Sequence, residues 1–151
     1  MKTLITIIFF SFTTLAFAKS PAKLKYQVDF LFSKVLEKKH QTINPNIPFP
    51  KIFYSSKTPL KQFQDAIEGQ WGIRPKFITN AFAVVNNEIY IMDDKDYYEN
   101  LKRCMDDSLV HELVHYVQVK YLNWDLNDES LEWDAIDIQT AFREEFCPVK
   151  N

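Results

Sequence analysis

Two of the chain's three histidines, His111 and His115, lie four residues apart, and Glu112 directly follows the first of them. On a helix, side chains at positions i and i+4 lie about 40° apart in projection and about one turn apart in height. Both imidazoles can therefore reach one metal ion, while the Glu112 carboxylate is left beside the metal and not on it. These three residues have the types and the spacing of a metal site with a general base.

The His-Glu-x-x-His spacing is the one that zinc hydrolases use on a helix. A helix over residues 106–121 would be apolar nearly all round, which is typical of a helix in the middle of a domain. Burying two imidazoles and a carboxylate there without partners is unfavourable, and one bound Zn²⁺ offsets that cost. The alternative is a pair of core histidines hydrogen-bonded to neighbouring groups. We predict one zinc ion held by His111 and His115, with Glu112 as the general base.

A catalytic zinc ion usually takes three protein ligands and leaves one position for water. A last helix, predicted from residue 128 or 130 to residue 146, offers several carboxylates. On its helical wheel, Glu132 shares a face with mostly apolar side chains, those of Ala135, Ile136, Gln139, Phe142 and Phe146. We therefore predict that Glu132 points into the core as the third ligand. Asp134 and Asp137 fall on the opposite, solvated face, and Glu129 in the first turn is the reserve candidate.

Gln118 and Gln139 are amides on the two helix faces that carry the predicted ligands. Metal sites generally need partners that fix a ligand side chain, but two ordinary, partly exposed amides explain the pattern equally well. Peptide hydrolysis also needs a second donor for the developing oxyanion, commonly a tyrosine or a histidine. The sequence does not choose among the available tyrosines, which are Tyr54, Tyr90, Tyr97, Tyr98 and Tyr121.

Residues 1–18 have the composition of a signal peptide: Lys2, then an apolar run, then a small-x-small ending at Ala18. Cleavage there leaves residues 19–151 as a single domain, exported to the periplasm or the medium, with no stable membrane span. That length is enough for one compact domain with its own core. The full chain carries a formal net charge of −2, which argues against a nucleic-acid surface.

The two cysteines, Cys104 and Cys147, belong to a chain that we predict to be exported, where oxidation is permitted. We favour a disulfide between them over two buried thiols. Neither has a spacing that suggests a zinc ligand. The link would join the start of the motif helix to the end of the last helix, and it would clamp the two together if they run antiparallel.

Periodicity and turn residues predict the other elements in chain order: helix 24–40, strand 50–55, helix 58–69, strand 77–79, and the strands 81–85 and 88–92. In the second helix, Thr58 would be the N-cap, Pro59 the first helical residue, and Gly69 the stop. The last two strands would form a hairpin because only Asn86 and Asn87 separate them.

His111-Glu112-x-x-His115 followed by Glu132-x-x-Ala135 is similar to the gluzincin metallopeptidases, in which a glutamate from a downstream helix completes the zinc site. The small size of the chain, with a hairpin directly before the motif helix, looks like the minimal members, the minigluzincins. The resemblance implies an α+β, zincin-like domain. It would have a short, mostly antiparallel sheet with a hairpin, packed against a central HExxH helix and a C-terminal ligand helix.

The chain departs from that family at Ile136, where many gluzincins carry an acid. The carboxylate that orients a ligand histidine must therefore come from elsewhere in this chain. The chain is also too short to include a large second lobe, which limits the depth of any substrate subsites.

The resemblance implies an activity as well, which is hydrolysis of peptide bonds by metal-activated water with Glu112 as the base. The substrate would be a peptide or protein segment in extended form, paired along the hairpin over residues 81–92. Two other functions stay open: a catalytically idle zinc module that binds a peptide or has a structural role, and a hydrolase of a non-protein amide. Glu112 favours an enzyme, because a purely structural zinc site has no need of that carboxylate.

Overall fold

The fold, seen in a computed structural model that describes residues 20–148, is of the predicted α+β class. The described residues form five α-helices and three strands, with one short 3₁₀ helix after the first strand. In chain order these are α1 Val28–Lys38, β1 Lys51–Tyr54, the 3₁₀ helix Ser55–Lys57, α2 Leu60–Trp71, β2 Ala81–Ala83, β3 Glu88–Ile91, α3 Lys95–Asn100, α4 Met105–Lys120 and α5 Ser130–Phe146.

The sheet has the strand order β1-β3-β2, so β2 lies at one edge. β2 and β3 are antiparallel, with Phe82 opposite Ile89, and the predicted hairpin is confirmed. β1 runs parallel to β3, with Ile52 beside Ile89. The prediction of a mostly antiparallel sheet is wrong because one of its two strand pairs is parallel. The strand after α2, β2, runs opposite to β1, and the hairpin then reverses the chain so that β3 lies beside β1 in the same direction.

The sheet separates two apolar clusters, because successive side chains of a strand point to opposite faces. On one face, Ile89 and Ile91 of β3 pack with α4, α1 and α5. On the other face, Tyr90 packs with Phe63 and Ile67 of α2. The predicted central helix is confirmed: α4 is buried along most of its length and contacts α1, α5, β2 and β3.

Several element predictions are wrong. Helix α1 spans Val28–Lys38 and not 24–40. Helix α2 continues through Gly69 to Trp71, and it ends at Gly72, whose φ of 69° lies in the left-handed region that favours glycine. Thr58 is not the N-cap, since its hydroxyl donates to the carbonyl of Tyr54. Residues 77–79, predicted as a strand, have no regular structure.

The start of α4 is fixed by contacts that the sequence did not predict. Asp106 is buried and accepts hydrogen bonds from the main-chain N–H groups of Lys25 and Tyr26 at 2.9 to 3.0 Å, so it anchors the segment before α1. Asp107 pairs with Arg103 at 2.7 Å. The N-cap is Cys104, whose sulfur accepts the N–H of Asp107.

Cys104 and Cys147 form a disulfide, as predicted, and it joins the N-cap of α4 to the C-cap of α5. The predicted signal peptide, residues 1–18, lies outside the described residues. Within residues 20–148, no helix combines the length and the apolar character that crossing a membrane requires.

Candidate metal centre

The packing of α4 against α5 brings the three predicted ligands together. His111 and His115 lie one turn apart on α4, with their Nε2 atoms 3.0 Å from each other. Glu132, in the first turn of α5, places one carboxylate oxygen 3.4 Å from Nε2 of His111 and the other 3.2 Å from Nε2 of His115. The two imidazoles and the carboxylate therefore converge on one point.

The three distances fit one tetrahedral metal ion. Bonds from zinc to imidazole nitrogen or carboxylate oxygen measure about 2.0 to 2.2 Å, so two ligand atoms of a tetrahedron lie about 3.3 Å apart. The observed separations, 3.0 Å between the two Nε2 atoms and 3.2 and 3.4 Å from each of them to a different oxygen of Glu132, lie around that value. The two imidazoles and the carboxylate would therefore hold one ion between them.

Gln118 fixes which nitrogen of His115 carries the proton. Its Nε2 donates to the carbonyl of Leu131 at 2.9 Å and to the Asp134 carboxylate at 2.6 Å, and both of these partners can only accept. The amide oxygen of Gln118 is therefore the atom that lies 2.9 Å from Nδ1 of His115, and that nitrogen must be the donor. A neutral His115 then presents an unprotonated Nε2 to His111 and Glu132.

Gln139 has the corresponding position beside His111. Its Nε2 donates to the main-chain carbonyl and to the carboxylate of Asp107, both at 3.1 Å, which leaves the amide oxygen for the imidazole. Nδ1 of His111 is buried and has no hydrogen bond within residues 20–148, but contact with Gln139 acts to raise the pKa of His111. A proton on Nδ1 would make that buried nitrogen a donor beside the free amide oxygen of Gln139, and it would leave Nε2 of His111 unprotonated.

Protonation of His111 is unfavourable as well. Burial lowers the pKa of His111, and the nearby His115 lowers it further, although the Glu132 carboxylate opposes both effects. With the proton of each imidazole on Nδ1, the two Nε2 atoms and the Glu132 carboxylate turn acceptors towards each other, with no donor among them. A divalent cation satisfies these acceptors. Gln118 thus supports His115 and is itself bonded to Asp134, while Gln139, bonded to Asp107, lies beside His111.

Two details of the ligand prediction need correction. The Glu132 side chain is 63% exposed, so it reaches the ligand point from the open side of the site and does not point into the core. Asp134 is not on a solvated face: besides Gln118 it pairs at 2.7 Å with Lys39, a nearly buried lysine at the end of α1. The helical wheel gave directions around α5, but Lys39, the C-cap of α1, reaches a side of that helix which the wheel left to solvent.

Loss of the Asp134 carboxylate should therefore weaken metal binding. We expect Asp134→Ala to lower zinc affinity by about ten- to a hundredfold, the usual effect of removing a group that orients a ligand. Competition with a chromogenic chelator measures this affinity. Asp137→Ala is the matched control because Asp137 is an exposed aspartate on the same helix. Equal affinities in the two variants would contradict the orienting role of Asp134.

Glu112 points to the same space from the sheet side of α4. The residue is 5% exposed, and burial raises the pKa of its carboxyl to about 8, with a further contribution from the Glu132 charge. The main-chain N–H of Phe82 acts in the opposite direction by interacting with the carboxylate. Glu112 is thus a buried acid whose proton affinity lies near neutrality and which is no part of the ligand set.

An open cleft of about 800 Å³ gives access to these residues. Its walls are the end of α2, the strand β2 and the segment 126–132, and it contains His111, Glu112, His115 and Glu132. Glu129, the reserve ligand, also lines the cleft but does not belong to the converging group.

The cleft contains amides that the sequence did not single out. Asn80 and Gln70 line it, whereas no tyrosine of the described residues does. Tyr90 and Tyr98, two of the oxyanion candidates, donate their hydroxyl protons to Glu88 and to the carbonyl of Met92. Neither amide belongs to a spacing pattern, so only the position of β2 and α2 beside the ligands could reveal them.

Comparison of the chain with protein-family models, curated proteins and solved structures finds no match in any of the three. The similarity to gluzincins therefore stays a prediction, carried by the residues of the site.

Proposed function

We propose that this chain is an exported, zinc-dependent metallopeptidase. The observation that carries the proposal is the convergence of His111, His115 and Glu132 on one point, beside the buried Glu112 and at the wall of an open cleft. A structural zinc site is closed by four protein ligands, whereas a catalytic site keeps one position open. Three converging ligands facing a cleft fit the second kind.

Zinc is the metal that suits this donor set. Two imidazole nitrogens with one carboxylate oxygen are typical of catalytic zinc, while magnesium and calcium prefer oxygen donors alone. When bound, zinc supplies a Lewis acid that polarises a substrate carbonyl and acidifies water. The chain's own residues hold that ion through oriented imidazoles and through the single charge of Glu132.

Glu112 would move the proton. The carboxylate would accept a proton from the attacking water and would later return it to the leaving amine. A pKa of about 8 in the metal-free chain keeps both forms accessible near neutral pH.

An extended peptide fits the cleft because one wall is an edge strand. β2 has a sheet neighbour on one side only, and its other side faces the cleft. Edge strands bind peptides through main-chain hydrogen bonds, which depend little on sequence. The disulfide is compatible with export, since such bonds persist in oxidising compartments.

The test pairs metal analysis with cleavage of a peptide library. We expect about one zinc per chain in the wild type and in Glu112→Gln, because Glu112 is no ligand. Cleavage by Glu112→Gln should fall by about a hundred- to ten-thousandfold, the usual contribution of a general base. Product analysis by mass spectrometry measures the cleavage.

Glu129→Gln is the matched control, because Glu129 is an acid of the same cleft outside the ligand set. An equal loss of cleavage in this variant would remove the special role of Glu112. Zinc binding without cleavage of any peptide by the wild type would point to a peptide-binding module. Lack of stoichiometric metal would contradict both functions.

A further inference from the structure

The outward edge of β2 is already occupied by side chains of the same chain. An edge strand presents main-chain N–H and C=O groups that another strand can pair with. Here the amide of Gln70 donates from Nε2 to the carbonyl of Phe82 at 3.1 Å and accepts at Oε1 the N–H of Val84, also at 3.1 Å. Lys120 donates from Nζ to the carbonyl of Val84 at 3.1 Å.

The Gln70 amide imitates a segment of a neighbouring strand. It offers one donor and one acceptor side by side, as a main chain does, and it uses both on alternate residues, Phe82 within β2 and Val84 directly after it. An extended peptide paired with this part of β2, in either direction, needs the Phe82 carbonyl and the Val84 N–H. Gln70 and a bound peptide therefore exclude each other at these two groups.

The Gln70 side chain can move away from the edge of β2 without disturbing the fold. It is exposed in the last turn of α2, so rotation about its side-chain bonds frees the edge while the helix stays in place. Its two hydrogen bonds are between neutral groups near solvent, and such bonds stabilise weakly. A peptide main chain can replace both.

We propose that Gln70 is a specificity-determining residue, which holds the peptide-pairing groups of Phe82 and Val84 until the main chain of an extended substrate displaces it. This role rests on the proposed function, in that the occupant of the cleft is a peptide. Gln70 thereby selects peptides whose backbone can form both bonds at this position, and it disfavours peptides with a tertiary amide there.

The experiment measures peptide binding, so that it does not depend on turnover. A fluorescein-labelled pool of random decapeptides without proline is titrated with zinc-loaded Glu112→Gln protein, with and without the added change Gln70→Ala, and anisotropy is recorded. Because the peptide no longer competes with the amide, the apparent Kd should fall by about three- to tenfold. A fully N-methylated pool, which cannot donate main-chain hydrogen bonds, should bind weakly and should not respond to Gln70→Ala.

Gln64→Ala is the matched control, because Gln64 lies on the same helix and its amide donates to the carbonyl of Pro75, away from β2. It should leave the apparent Kd unchanged. An unchanged or higher Kd in Gln70→Ala would overturn the proposal, as would equal gains for the normal and N-methylated pools or a lack of binding by every variant. Tighter binding to Gln70→Ala in a protein whose wild type cleaves no peptide would uphold the role of Gln70 and contradict the peptidase alone.

Discussion

Glu132→Ala should abolish stoichiometric zinc binding. The change removes one of the three proposed ligands and the only carboxylate among them, and it leaves the two imidazoles alone. Removing a group that merely orients a ligand already costs about ten- to a hundredfold in affinity, so the loss of a ligand should exceed a hundredfold. Metal analysis after gel filtration should find about one zinc per chain in the wild type and almost none in the variant.

Glu129→Ala is the control that separates the two candidate ligands. Glu129 lies three residues earlier, at the start of α5, and it lines the cleft without reaching the two histidines. We expect its zinc content to match that of the wild type. Zinc retention in Glu132→Ala together with zinc loss in Glu129→Ala would show that the third ligand is misassigned.

Removal of the disulfide should lower the free energy of unfolding substantially. Cys104 and Cys147 are 43 residues apart, and closing a loop of that length reduces the entropy of the unfolded chain by an amount worth about 4 kcal/mol. The double variant Cys104→Ser/Cys147→Ser should lose about 3 to 4 kcal/mol of unfolding free energy, as measured by urea denaturation. Serine at position 104 keeps an oxygen that can accept the N–H of Asp107, so the helix cap is preserved.

The wild type treated with a reducing agent supplies the comparison. It should lose a similar free energy of unfolding, while the double variant should not respond to the reagent. A loss below about 1 kcal/mol would contradict the expected stabilisation through the unfolded chain. The disulfide lies at the start of α4 and the end of α5, whereas Glu132 lies at the start of α5. The bond and the ligand group therefore connect the two helices at different points.

The sequence was sufficient to predict the features that depend on residue spacing within one helix or strand. The positions of His111 and His115 on one helix face follow from a four-residue spacing, and α4 has nearly the predicted bounds. The hairpin and the disulfide also agree with the structure, and Glu132, not Asp134 or Asp137, is the carboxylate that lies with the two histidines. Helical and strand periodicities determine which side chains share a face, and they do so without knowledge of the rest of the fold.

Contacts between elements could not be derived in this way. Periodicity gave the direction of Glu132 around α5 but not its depth, because exposure depends on where the first turn of α5 lies relative to the cleft. It placed Asp134 in solvent because it could not show that Lys39 at the end of α1 covers that side of the helix. The parallel pairing of β1 likewise depends on how α2 crosses the sheet.

What the sequence alone determined is therefore a helix with two histidines on one face, a glutamate on a later helix that meets them, a hairpin and a bridge between two cysteines. Only the tertiary structure decided that Gln118 joins His115 to Asp134, that Asp107 holds Gln139, and that Gln70 covers the edge of β2. These contacts join residues that are distant in sequence or lie on different elements. Their partners are set by the packing of α1, α2, α4 and α5, which no local spacing records.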